Sequence, residues 1–133
     1  MTELVCVDPD KAREVWPHVK GLIDRATAHC GDWTTEQIER AVCSGQQLLW
    51  LTWSGKDIKA AGVTEIIDTP RGYVCLAIAV GGDEEGDWQE RIRPVEQYAK
   101  EWGCHAMRII GRVGWKRVFR DYETEFVTLT KRL

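Results

Sequence analysis

The chain of 133 residues holds two methionines, four prolines and five cysteines, and no two cysteines form a C-x-x-C pair. Thiols at 6, 30, 43, 75 and 104 are odd in number and far apart, which argues against a disulfide framework. His29 and Cys30 are neighbours, but no second pair stands at a zinc-site spacing, so no metal is expected. Long apolar runs are also missing. The longest, Val74 to Val80, is far short of the roughly 20 residues that cross a bilayer. Asp8, Asp10, Lys11, Arg13 and Glu14 interrupt any signal-like stretch, so the expected location is cytoplasmic, with no membrane partner. Charge of one sign is not in excess. Eighteen Lys plus Arg against 21 Asp plus Glu give a net charge of -3, which argues against nucleic acid held by charge alone. No repeat, low-complexity tract or linker breaks the chain, and one domain over 1–133 is expected.

What is present is a clear succession of elements. Glu3 to Val7 reads as a strand stopped by Asp8-Pro9. Val15, Val19, Leu22, Ile23 and Ala26 recur at helical spacing over about 9–28, with Pro17 expected to bend or restart that helix. Thr34 and Gln37 form a capping-box pattern ahead of Ile38, Ala41 and Val42, so a short second helix should end near Ser44-Gly45. Three strands follow as two hairpins: Gln47 to Trp53, Lys59 to Asp68 and Tyr73 to Val80. The last is apolar on both faces, which places it inside the sheet under helices.

Trp88, Ile92, Val95, Ala99 and Trp102 give a third helix, in which Pro94 implies either a kink or a short turn followed by the helix proper. Cys104 to Ile110 is the next strand and should lie parallel beside Tyr73 to Val80, because a helical crossover separates them. Trp115, Val118, Phe119 and Tyr122 define a fourth helix, and Glu125 to Lys131 alternates as a final antiparallel strand. Along Cys104 to Arg120 there are five cations, Arg108, Arg112, Lys116, Arg117 and Arg120, and no acid. Arg112, Lys116 and Arg120 recur every four residues, as a stripe on a helix would.

The order β-α-α-β-β-β-α-β-α-β resembles the GNAT family of N-acetyltransferases across nearly the whole chain. The resemblance implies an α/β (α+β) fold with a mixed central sheet and helices on both faces. It further implies acetyl-CoA bound where VCLAIAVGG, residues 74–82, meets the helix after it. In such a site Ile78, Val80, Gly81, Gly82 and Gly86 would offer backbone to the cofactor, and Arg112, Lys116 and Phe119 would flank it. The sequence departs from the family at two motifs. DEEGDW stands where a Q/R-x-x-G-x-G/A phosphate loop is usual, bringing Asp83, Glu84, Glu85 and Asp87 there, and Phe119 stands where a proton-donating Tyr is usual.

Tyr122 is the candidate substitute for that donor. Glu65, on the third strand with Val63 and Ile67 on its own face, is the candidate base for an amine, ahead of Asp68 and His105. Two functions follow from these readings. One is an acyl-CoA-dependent N-acetyltransferase of an unidentified amine. The other is a non-catalytic GNAT-like binding or assembly protein, for example one encoded by a phage. With a single strand after the last helix, one sheet edge is left open, so the partner is either an amine-bearing substrate, a protein, or a second copy of the chain through that edge.

Overall fold

The computed structural model describes residues 4–30, 32–54, 57–82, 88–111 and 114–133. Its centre is the expected meander. β2 (Leu48–Ser54), β3 (Asp57–Thr69) and β4 (Gly72–Gly82) pair antiparallel in chain order. β1 (Leu4–Cys6) adds antiparallel to β2, and β5 (Ala106–Ile109) adds parallel to β4. The sheet order is therefore β1-β2-β3-β4-β5, with β4 flanked on both sides and β5 at an edge.

Helices cover both faces. α1 (Pro9–Cys30) and α2 (Thr35–Ser44) bury Trp16, Val19, Ile23, Ile38 and Val42 against Leu49, Leu51, Val63, Ile78 and Ala79 of the sheet. α1 carries Pro17 without restarting. The capping box of α2 forms as read: the Gln37 N–H donates to Thr34 Oγ1 at 3.1 Å and the Thr34 N–H to Gln37 Oε1 at 2.9 Å. The opposite face belongs to α3 (Trp88–Arg91), α4 (Arg93–Glu101) and α5 (Trp115–Val118). There Trp88, Ile92, Val95, Ala99, Trp115 and Phe119 close over Trp50, Ala60 and Cys75. Trp50 Nε1 donates to Thr64 Oγ1 at 2.9 Å, which satisfies both polar groups inside this layer.

The third helix is two pieces separated at Ile92, the short turn followed by the helix proper that Pro94 implies, because Pro94 has no N–H to extend a preceding helix and fits the first turn of a new one. Two expectations need correction. The fourth helix is a single turn, so Phe119, Arg120 and Tyr122 lie beyond it and no three-turn basic stripe exists; Arg112 falls outside the described residues. Glu125 to Lys131 is not a strand: these residues are exposed and carry no ladder, since alternation without a paired partner does not hold a strand together.

Cys75 lies fully buried on β4. Burial pushes its thiol up from 9.0 to about 11, with Cys104 adding to the shift and a hydrogen bond with Thr64 opposing it. A folded value above the unfolded one means that its contribution to stability is intact below about pH 9 and is lost as pH rises through 11. At most about 3 kcal/mol is involved. We expect thermal unfolding of the wild type to steepen its pH dependence over this window relative to Cys75→Ala, and a thiol reagent to reach Cys75 only after denaturation. Parallel curves for the two proteins would show that the thiol is not felt.

Candidate functional site where two parallel strands part

The ladder between β4 and β5 runs from Val74 opposite Ala106 to Ala77 opposite Ile109, and its last bond is from the Ile110 N–H to the Ala77 carbonyl at 3.3 Å. β4 then continues to Gly82, still paired with β3, while β5 has ended. The partners Val63–Ala79 and Thr64–Ala77 leave Ile78 as one extra residue on β4, a bulge at the very point where the strands separate. A bulge bends its strand, so the parting has a local cause. Beyond Ala77, β4 backbone groups that face away from β3 meet no strand among the described residues.

The elements that leave the two strands meet again above the sheet. Trp88 of α3 packs edge-on to Trp115 of α5 with ring centroids 5.5 Å apart, and Phe119 lies 6.4 Å from Trp88 and 5.5 Å from Trp115. Gly111 permits this approach, because a Cβ there would lie 2.7 Å from Trp115 Cδ1. Arg91 sits over the Trp88 ring at 5.3 Å, and its Nη1 is buried without a hydrogen-bond partner among the described residues. A donor so placed suits an anion.

The positions singled out in the sequence divide between the two faces. Ile78 and Gly81 lie toward α1: the Ile78 side chain is in that core, and a Cβ on Gly81 would collide with the Leu22 carbonyl. Val80 packs into the opposite core. Gly82, at φ 134°, is in a conformation that favours glycine, and a Cβ there would stand 2.6 Å from Ala60 Cα and Lys59 O. Glycine at 81 and 82 is thus demanded by packing alone, whatever else approaches it. Lys116 is exposed, Phe119 is buried in the aromatic cluster, and Gly86 with the four acids of its loop lies outside the described residues.

Glu65 and Tyr122 are on opposite faces. Glu65 stands opposite Leu76 on the α1 side, half-buried, with Gln46 Nε2 donating to its Oε1 at 2.9 Å. Tyr122 packs on Phe119 at 5.5 Å on the α4 side, and its hydroxyl donates to Glu96 Oε2 at 2.5 Å. Burial first, then the hydrogen bond and charge of Glu96, hold the Tyr122 phenol far above its ordinary range. Sequence reading missed Glu96 and Arg91. The partner of Tyr122 is 26 residues away, which local spacing does not report. The Trp88–Arg91 pair, three apart on one turn, was the signal available for the other. No cluster of three or more His, Cys, Asp or Glu able to hold a metal exists among the described residues.

The architecture is a mixed five-stranded sheet parted between its parallel strands, with helices on both faces. No protein-family profile and no curated protein matches the sequence. Solved structures do match in shape. An aminoglycoside acetyltransferase from an uncultured soil metagenomic sample, in complex with sisomicin, superposes with a TM-score of 0.72 at 9% identity, covering 99% of this chain and 96% of that one. Glucosamine-6-phosphate N-acetyltransferase from Arabidopsis thaliana gives 0.69 at 14% identity over 99% and 98%. A predicted acetyltransferase from Clostridium acetobutylicum, solved with acetyl-CoA, gives 0.69 at 13% identity over 100% and 96%. The chain has the GNAT fold.

Proposed function

We propose that the chain is a GNAT-type N-acetyltransferase that transfers an acetyl group from acetyl-CoA to an amine. The observation that carries this reading is the bulge-driven parting of β4 and β5, which leaves strand backbone unpaired with any strand among the described residues beside the aromatic cluster. Acetyl-CoA, when bound, supplies an acetyl group already activated as a thioester. The backbone of Ile78 to Gly82 offers donors and acceptors to an amide-bearing arm, as a sheet edge does to a peptide. Lys116, exposed at the start of the one-turn helix, and the buried Arg91 Nη1 offer charge to phosphates. Arg112 and Gly86, which lie outside the described residues, belong to the same proposed site.

Glu65 accepts the proton of the attacking amine, with Gln46 orienting its carboxylate. Tyr122 keeps its proton at Oη, directed to Glu96, and stays neutral throughout the working pH range. A second reading, a GNAT-like binding protein without transfer, draws on the same residues. The Tyr122 hydroxyl is already engaged, and Phe119 is buried among the rings rather than presented to a ligand.

Thermal unfolding with acetyl-CoA separates the two. At 100 times the dissociation constant, bound cofactor stabilises by roughly 2.7 kcal/mol. We expect a rise in melting temperature, weakened by Lys116→Glu and by added salt, together with thiol release when a panel of primary amines is added. Absence of any shift at millimolar acetyl-CoA overturns the enzyme reading, whereas a shift without thiol release from any amine supports the binding protein.

A further inference from the structure

We infer that the acceptor is a small amine that also carries an anionic oxygen group, a carboxylate or a phosphate, with Glu65 receiving its nitrogen and Arg108 its anion. This acceptor class belongs to the proposed acetyltransferase site and rests on that reading.

Glu65 stands opposite Leu76 across β3 and β4, and Leu76 stands opposite Arg108 across β4 and β5. The three form one row across the sheet. Residues paired directly across strands share a face, and Leu76 packs against the core under α1, so Glu65 and Arg108 both belong to that side. Met107 and Ile109, the neighbours of Arg108, pack into the opposite core, as strand alternation requires. Neighbouring strands lie about 4.8 Å apart, which puts the Cα atoms of Glu65 and Arg108 about 10 Å from each other. Between two flexible side chains this is room for a short chain with a charge at each end. All three residues are half-buried, whereas Val63, Ile78 and Ala79 nearby are closed off under α1.

Each of the two charges lacks an opposite one. Glu65 is held by Gln46, whose Nε2 donates to Oε1 at 2.9 Å and brings no charge, and no cation among the described residues is within ion-pair distance of it. Arg108 has the Phe126 ring at 5.2 Å. Glu125, the acid of the cleft that adjoins Arg108, is engaged instead by Arg71 at 3.6 Å. Leu76 keeps Glu65 and Arg108 two strands apart, so they do not neutralise each other directly. A half-buried charge is costly until it is paired, and a guanidinium meets carboxylate or phosphate oxygens through parallel N–H donors. A ligand with charges of both signs satisfies Glu65 and Arg108 together, which an amine without an anion does not.

The row also lies where transfer would occur. Leu76 immediately precedes Ala77, where the β4–β5 ladder ends, and stands two residues before the bulge at Ile78. An amine held at Glu65 is therefore beside the point where the strands part. Glu65 takes the proton that the amine loses as its C–N bond forms and the thioester C–S bond breaks, and the departing thiolate regains a proton from water.

The test makes two measurements on the full chain with γ-aminobutyrate, O-phosphoethanolamine, butylamine and putrescine. Calorimetry in the presence of CoA reads binding, and thiol release from acetyl-CoA reads transfer. At least one of the two anionic amines should bind about 10- to 100-fold more tightly than butylamine, the worth of a charge-assisted pair, and the better of them tells carboxylate from phosphate. Arg108→Gln should abolish that margin. Arg108→Glu should turn the preference to putrescine, a reversal that lost packing does not produce. Equal binding of butylamine and the anionic amines, no binding of any of the amines, or a preference untouched by Arg108→Gln overturns the inference. Binding with the expected preference but no thiol release from any amine upholds the paired-charge site and overturns the transferase reading. Thiol release at equal rates from butylamine and the anionic amines does the reverse.

Discussion

Replacing Trp88 by Ala should remove about 3–5 kcal/mol of folding free energy, the range for deleting a buried aromatic whose site cannot collapse. Trp88 is fully buried, and it touches both Trp115 and Phe119, so one ring holds α3 to α5 across the point where β4 and β5 separate. The edge-on pair with Trp115 adds about 0.5–1.5 kcal/mol to the area term, which a smaller apolar residue does not restore. Against a total stability of about 5–15 kcal/mol this is a large share. Urea unfolding followed by far-ultraviolet circular dichroism reads the effect. Trp88→Phe should keep most of the stability, and a Trp88→Ala loss below about 1 kcal/mol would mean that the rings are not the joint between those elements.

The second large effect is expected at Gly81. A Cβ there is driven into the Leu22 carbonyl, which is backbone of a helix and cannot rotate aside. Gly81→Ala must push α1 off β4, at a cost of about 1–3 kcal/mol or more, since inserting atoms into a close-packed contact forces backbone shifts. Gly21→Ala, on the same helix with open space at its Cβ, should instead stabilise by about 0.5–1 kcal/mol through helix propensity. The opposite signs of the two variants, measured in parallel without ligand, identify the steric cause. If Gly81→Ala were as stable as the wild type and lost only acetyl-CoA binding, the glycine would instead serve the approach of the cofactor.

Much of the fold is legible because its signals are local. Thr34 and Gln37 are three residues apart and bond as their spacing implies, and the turn at Thr69-Pro70-Arg71-Gly72 divides β3 from β4 where those strands do end, while the turn read at Ser54-Gly55-Lys56-Asp57 includes residues outside those described. The two-sided apolar character of Val74 to Val80 correctly placed β4 between two neighbours. The last helix is shorter than its apolar spacing implies, for a physical reason. Trp115, Phe119 and Tyr122 do come together, but ring stacking at 5.5 Å holds them, and that contact requires only one helical turn. The tail alternates without forming a strand, because alternation reports what a segment can do once it has an edge to pair with. At the candidate site the strand was legible and its neighbours were not. Arg91 and Glu96 acquire meaning only from Trp88 and Tyr122 in three dimensions.

The extra residue at Ile78 also acts as a frame marker for the whole sheet. Before it, Leu76 points to the α1 side and Cys75 to the other; after it, Ala79 points to the α1 side and Val80 to the other, so even and odd positions exchange their faces within a single strand. Sliding β4 along β3 by one residue turns both halves inside out, and sliding it by two leaves the crook of the strand opposite the wrong partner. β4 therefore has one alignment in which both of its halves bury their own apolar side chains, and the irregularity that opens the site also keeps the hairpin from slipping.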